Sequence, residues 1–433
     1  MTVDYPAFLA GKARGVQAVG IDCLPRDVHP RLFDFQRYVT SWAASRGRAA
    51  VWAATGLGKT MMQLEWCRLS ADRSLLVAPL GVCEQTVREA TDKLGIDAPY
   101  ARSDADTDAT GIWVTNYEMA DRFDPAGFGA VALDEASILK QSDGKTRTRL
   151  IQQFAPVPRR TTWTATPAPN DPEELTNQAE FLGVMSRREM LATYFVHDSD
   201  GWRLKGHARE PMFRWMATWA IALRSPSDIG YPDDGYELPP LSILPEGVSA
   251  EDVDAGDGLF AALGGVGGRA AVRRQTLDSR CARAAETVAR EPTEQWLLWC
   301  GLNDEAQTLA GTIPGAVNVP GAWSPEDKAS AFLDFADGKI RVLVTKPSIA
   351  QFGLNWQNCA RMVFVGINDS WESYFQAIRR CWRYGQDRPV NVHIVVSDIE
   401  QQIVANVRRK ETEAARMTEE LVGHMKAAGQ TSA

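Results

Sequence analysis

Residues 56–60 read GLGKT, and they stand between an apolar run, AAVWAA, and a helix-forming run, MMQLEWCRLS. A strand that enters a helix through a glycine-rich loop constrains the fold more than any other feature of this chain. The glycines let backbone N–H groups turn inward, and the helix start adds partial positive charge. Together they form a cradle for phosphate oxygens. Lys59 supplies a point charge, and the Thr60 hydroxyl suits Mg²⁺. The strict motif begins with Gly, whereas this chain has Ala53.

Such a loop belongs to a parallel sheet, and the surrounding pattern agrees. The apolar runs LLVAP, IWVTN, VALDE and TTWTAT follow the loop, separated by turn residues or helical spacing. A second series, EQWLLWC, AVNVPG, RVLVTK, RMVFVG and NVHIVV, fills residues 295–396. The alternation predicts an α/β fold with two parallel sheets and crossover helices. The expected division is an N-terminal extension over 1–30, a first lobe over 31–180 and a second lobe over 281–400, with a C-terminal helix and tail over 401–433. Residues 181–280 are expected to hold a helical insertion and linker, with the acidic, glycine-rich stretch 245–269 as the flexible connection. In the tail, Ile399, Ile403, Val407, Met417, Leu421 and Met425 are spaced as one buried helical stripe, which predicts a helix bracing a lobe.

With 433 residues, two domains are the natural expectation. No apolar run is long enough to span a membrane, and no secretory leader is read at the N-terminus. The seven cysteines are scattered without a CxxC pair, which predicts reduced thiols in a cytoplasmic protein and no structural zinc. The net charge of −8 argues against a chain coated in basic charge for nonspecific nucleic-acid binding. It leaves room for a local basic track.

Asp134 and Glu135 end the apolar run AVAL, and a carboxylate at the tip of a parallel strand lies at the ligand-binding edge of the sheet. Asp134 is placed to hold Mg²⁺ through water, and Glu135 to orient and deprotonate an attacking water. Alone, such a pair is more often a helix cap or a solvated turn. Far along the chain, QAIRRCWRYGQ (376–386) carries Arg380 and Arg383 three residues apart, on one face if the segment is helical. Guanidinium groups of this kind stabilise charge on a transferring phosphoryl group, although a solvated basic face is the commoner fate of such a cluster.

Taken together, these segments resemble a superfamily-two helicase, and within it the Swi/Snf-like branch of DNA translocases. LFDFQRYVTSW resembles the glutamine motif, which implies that Gln36 reads the adenine edge. VAPLGVCEQTVREA and VTNYEM resemble the next two motifs. LDEASILKQSDGKTRTRL is similar to the DEAH stretch, TWTATPAPNDPEELTNQAEFL to the TGTP motif, and TKPSIAQFGLNWQNCARMVFV to the motif ending in GLN. QAIRRCWRYGQ is similar to QxxxRxxR followed by Gly-Gln. The resemblance covers most of residues 31–396. It implies two tandem RecA-like lobes with the ATP site in the cleft between them. It implies nucleotide contacts from Gln36, Thr55, Gly56, Leu57, Gly58, Lys59, Thr60, Gly353 and Gln376, with Arg380 and Arg383 as arginine fingers.

Three positions depart from the pattern. Ser137 stands where DEAH has His, Trp382 where the branch commonly has His, and Arg379 at a usual acidic or glycine position. RSPSDIGYPDDGYELPP resembles a remnant of the branch's Leu-Pro-Pro connector. The large insertions of chromatin remodellers are absent, as in minimal bacterial or phage motors.

The resemblance implies a nucleic-acid track, with Lys140, Lys145, Arg147 and Lys346 as the main candidates and Arg149, Arg159 and Arg160 beside them. Phosphate contacts of this kind position a strand without reading its sequence. The first expectation is an ATPase moving on duplex DNA. A strand-separating DNA or RNA helicase and a nucleotide-gated scaffold subunit with low turnover are the alternatives. Protein partners are not readable.

Overall fold

A computed structural model describes residues 16–140, 144–168, 171–199, 201–248, 274–350, 355–366, 371–397 and 401–430. The chain divides into two compact units. One comprises residues up to Asp234 together with those from Glu413 onward, and the other comprises Gly235–Thr412.

The first unit is an α/β lobe built on a parallel sheet. Its strands are β1 (Arg48–Ala53), β2 (Arg73–Ala78), β3 (Gly111–Asn116), β4 (Ala130–Asp134), β5 (Arg159–Thr164), the hairpin β6 (Phe195–Asp198) and β7 (Gly201–Leu204), and β8 (Ala220–Leu223). The main sheet has the order β3-β2-β4-β5-β1-β8, with every pairing parallel. Strands β1, β2 and β4 are buried almost throughout, as sheets covered by helices on both faces require. The helices are α1 (Asp34–Arg46), α2 (Lys59–Ser70), α3 (Leu80–Glu89), α4 (Lys145–Phe154), α5 (Leu175–Leu182), α6 (Arg187–Tyr194) and α7 (Arg209–Met216).

The second unit is built alike. Strands β9 (Leu241–Val248), β10 (Trp296–Cys300), β11 (Ala316–Asn318), β12 (Val342–Thr345), β13 (Arg361–Val365) and β14 (Val390–Ser397) form a parallel sheet of order β11-β12-β10-β13-β14-β9. Its helices are α8 (Leu277–Arg290), α9 (Asn303–Thr312), α10 (Pro325–Ala336) and α11 (Trp371–Ile378). Helix α12 (Gln401–Gln430) follows, and its Met417, Leu421 and Val422 are buried in the core of the first lobe.

The region expected to be a helical insertion is more integrated than that. Strand β8 pairs with β1 at the edge of the first sheet, and Trp215 and Trp219 pack in the core with Trp52. The expected flexible connection likewise begins too early. Residues 241–248 form β9, paired with β14 along its whole length. Most of the remaining connection lies outside the described residues. No helix among the described residues is long and apolar enough to cross a membrane. All seven cysteines are free and buried.

Candidate active site

In a parallel sheet all strands end on one edge, and the first lobe's chemistry gathers there. Strand β1 runs out at Ala53 into the GLGKT loop, and α2 starts at Lys59. Gly56 and Gly58 take positive φ, 93° and 80°. The backbone of Gly58 calls for glycine, and a Cβ there would lie 2.3 Å from Gln36 Nε2 and displace that amide. No side chain caps the start of α2, and its first turn carries no acidic residue. Met61 N and Met62 N donate back to Gly58 O at 3.1 and 3.3 Å, so the helix begins directly at the loop with no side chain over its first amides. Lys59 Nζ donates to Ala53 O at 3.0 Å, which folds the side chain back over the loop.

Asp134 sits at the tip of β4, 8% exposed. Gln63, one turn after Lys59 on α2, donates Nε2–H to Asp134 Oδ1 at 2.6 Å. Burial holds the Asp134 carboxyl above the ordinary aspartate range, while the Gln63 hydrogen bond and the Lys59 charge act against that shift. Tyr117 donates its hydroxyl to the Asp134 carbonyl. Glu135, the next residue, has φ of 49°. That is the left-handed region, a strained choice for a non-glycine residue and one concentrated at functional sites. Thr164 Oγ1 lies 3.5 Å from Glu135 Oε2, and Thr166 N donates to Thr164 Oγ1 at 3.0 Å. The TAT segment at the end of β5 therefore reaches the acidic pair through a hydroxyl. Ser137 bonds locally, with Oγ donating to the Glu135 carbonyl at 3.4 Å.

The second lobe carries the arginines on a turn rather than on a helix face. Helix α11 ends at Ile378, and residues 379–386 wind through successive short turns. Arg380 and Gln376 line one small cavity with Trp299, Pro347 and Ala350. The Arg380 carbonyl accepts from Trp356 N at 2.9 Å. Trp382 Nε1 donates to the Pro239 carbonyl at 2.7 Å, and Tyr384 packs edge-on against Tyr236 at 5.1 Å. The Leu-Pro-Pro stretch thus braces the arginine turn from within the same lobe.

Residues 284–385 match the helicase conserved C-terminal domain family. That segment contains α9, β10–β13, α11 and the arginine turn. In that segment the chain is similar to helicases. A curated relative, the uncharacterized ATP-dependent helicase C23E6.02 of Schizosaccharomyces pombe, is 28% identical over 136 residues. The match spans 29% of this chain and 13% of that protein, a small part of the relative's length. Among solved structures, the Sulfolobus solfataricus SWI2/SNF2 ATPase core in complex with dsDNA aligns with 92% of this chain and 99% of its own, at 16% identity and a TM-score of 0.45.

In the first lobe the structure brings Lys59, Asp134 and Glu135 together, with Thr55, Gly56, Leu57, Gly58 and Thr60 on the same loop and helix start. Gln36 joins them by bracing the loop. Its Nε2 donates to Leu57 O at 2.9 Å, and its Oε1 accepts from Phe33 N at 3.0 Å. Gly353 lies outside the described residues. Gln63, Tyr117 and Thr164 belong to the site but escaped sequence reading. Gln63 had a signal: it lies four residues after Lys59, on the same helix face.

The basic candidates separate. Lys145 is exposed at the start of α4, and Lys140 is half-buried beside the acidic loop. Lys346, at the end of β12, is half-buried in the second lobe. Arg147 is mostly enclosed, donating to Asn177 Oδ1 at 3.0 Å and lying 3.8 Å from Glu180. Asn177 in turn donates to the Leu139 carbonyl at 2.8 Å, so Arg147 braces the acidic loop through α5. Arg149 pairs with Asp121 and donates to Tyr117 O. Arg159 and Arg160 open β5 and therefore lie on the sheet edge opposite Asp134. Arg160 is buried against Phe181 near Gly183, where α5 ends. A cation there complements the negative end of that helix, which is a structural role.

Proposed function

We propose that the chain hydrolyses ATP and couples hydrolysis to movement on duplex DNA, as a minimal motor of the Swi/Snf-like type. The observation that carries this reading is the uncapped start of α2, with Asp134 and Glu135 presented beside it. Open amide donors and Lys59 suit the β- and γ-phosphates. Glu135, held in a strained backbone by β4 and the Thr164 hydroxyl, is oriented to position and deprotonate water. Gln36 keeps one amide hydrogen and one lone pair beyond its bonds to Leu57 O and Phe33 N, enough for a base edge. Arg380 and Arg383 act on charge developing at the γ-phosphate, with Gln376 beside Arg380.

The residues also fit Mg²⁺. Thr60 and Asp134 offer one hydroxyl and one carboxylate, and no cluster of three or more His, Cys, Asp or Glu that could hold a metal appears among the described residues. A cation that leans on nucleotide phosphates and water needs only such sparse protein ligation. When bound, it neutralises phosphate charge. Lys140, Lys145 and Lys346 are the proposed phosphate contacts of the DNA track. The motif set, with its Swi/Snf-like order and no readable wedge element, supports duplex over single-stranded DNA.

The test is phosphate release without nucleic acid, then with duplex DNA, single-stranded DNA or RNA, at low and moderate salt. Stimulation by duplex that falls as salt rises is expected, because each neutralised phosphate releases counterions. Stimulation confined to single strands or RNA would replace this reading with a strand-separating helicase. No hydrolysis under any condition would leave the scaffold alternative.

A further inference from the structure

Arg379 is the least expected residue of the arginine turn. It is 8% exposed, and its Nε and Nη1 are buried without a hydrogen-bond partner. Its guanidinium carbon lies 4.4 Å from the Trp382 ring centroid and 5.1 Å from that of Phe375. Burial lowers its pKa to about 10; Tyr384 acts against that shift, and the neighbouring cation Arg383 adds to it. A buried cation with no ion pair among the described residues is costly, and a hydrocarbon of similar length would fill the space without that cost. What a hydrocarbon cannot supply is a flat cation that stacks on aromatic faces.

The stacked Trp382 ring is itself tied down, since its Nε1 donates to Pro239 O at 2.7 Å. The neighbouring Pro240 carbonyl accepts from Val390 N at 2.9 Å, at the start of β14. A continuous set of contacts thus runs from Phe375 on α11, through Arg379 and Trp382, to the connector and the sheet. Arg380 and Arg383 lie inside the span it clamps.

We propose that Arg379 is a positioning residue: by stacking with Phe375 and Trp382 it fixes the turn that presents Arg380 and Arg383 to the transferring phosphoryl group. The proposal rests on the assignment of those two arginines made above. The clamp acts on geometry, so it sets kcat and leaves nucleotide affinity nearly untouched.

The experiment measures DNA-stimulated kcat and KM for ATP in the full chain, together with Tm, for Arg379→Met, Arg379→Lys, Trp382→Phe, the Arg379→Met/Trp382→Phe double variant and Arg383→Ala. Arg379→Met is expected to lower kcat about tenfold to a hundredfold, the scale of a small misplacement of a catalytic group. KM for ATP should move less than about threefold, with Tm unchanged or raised. Arg379→Lys keeps the charge but loses the planar stack, so it should not restore kcat. Trp382→Phe should lower kcat as well. The double variant should be no worse than the stronger single, because both break one clamp. Full rescue by Lys, additive losses, or an unchanged kcat in Arg379→Met while Arg383→Ala collapses it would overturn the clamp alone. An unchanged kcat in Arg383→Ala would remove the arginine assignment, and the clamp with it.

Discussion

The two lobes share one plan and treat the same structural position in opposite ways. In the first, β1 leads through GLGKT into α2, whose start has no side-chain cap and no acid in its first turn. In the second, β10 leads through Gly301 and Leu302 into α9, and Glu305 fills the helix start. Its Oε2 accepts from Gly301 N at 2.8 Å and Leu302 N at 2.9 Å. Its Oε1 accepts from Arg280 Nη1 at 2.6 Å, and both side chains are essentially fully buried. A carboxylate of the chain thus takes the place that a phosphate takes at an open helix start. The same sheet and helix therefore offer an uncapped helix start in one lobe and a sealed structural joint in the other. The difference lies in a lysine and glycines on one side, and a glutamate with its buried arginine on the other.

The largest effect that would break this comparison is on turnover. Lys59→Ala should lower ATP hydrolysis by about a thousandfold or more, on the scale of lost charge stabilisation in phosphoryl transfer. The fold should survive, since Lys59 is half-buried at the loop and is not part of the hydrophobic core. Steady-state phosphate release and a thermal melt check both halves, and undiminished turnover would mean that the first lobe is not the open one. In the second lobe the corresponding change should strike stability. Glu305→Ala removes the carboxylate that accepts from the buried Arg280 Nη1, at a cost of about 3–5 kcal/mol. Urea unfolding followed by tryptophan emission reports it, because Trp296, Trp299 and Trp356 are all buried in this lobe. Replacing both partners, as in Arg280→Met/Glu305→Leu, should recover most of the loss. If Glu305→Ala instead left stability intact, the second lobe's helix start would not be sealed by this pair.

The sequence made the centre of each lobe legible and its margins less so. Strands such as LLVA and AVAL are unbroken apolar runs because helices cover both faces, and a run of that kind has few other uses. Strand β8 is only AIAL, set among tryptophans and methionines that read as helical. Strand β9 carries Pro245 and Gly247, which argue against a strand except at a sheet edge, and an edge is where it lies. The glycine loop at the end of β1 and the acidic pair at the tip of β4 stood out because each follows an unbroken apolar run. The end of α11 did not, since RRCWRY contains no glycine or proline to stop a helix. Gln63 and Thr164 were missed because their contribution is a contact across elements, which only folding brings about.

The smallest effect is the one that separates folding from function at a single atom. Burial raises the Asp134 carboxyl above its ordinary range, so between the unfolded and folded pKa values the folded lobe binds the extra proton. Through this group the stability of the nucleotide-free lobe is greatest at low pH and falls as pH rises through the folded pKa. Activity runs the other way, because the role proposed for Asp134 needs the ionised form. The acid limb of kcat/KM should therefore lie above that of an exposed aspartate. Gln63→Leu removes the hydrogen bond that favours ionisation. It should push the limb to higher pH, with a rate loss of about tenfold or less on the limb and almost none on the plateau. Lobe stability should respond in the opposite sense, with the stabilised acidic range extending to higher pH in the variant. A pH–rate profile and a pH series of melts on the same two proteins check the pair. Parallel movement of rate and stability would show that Asp134 serves the fold of the first lobe, as Glu305 serves the second, and the contrast between the lobes would narrow to Lys59 and its glycines.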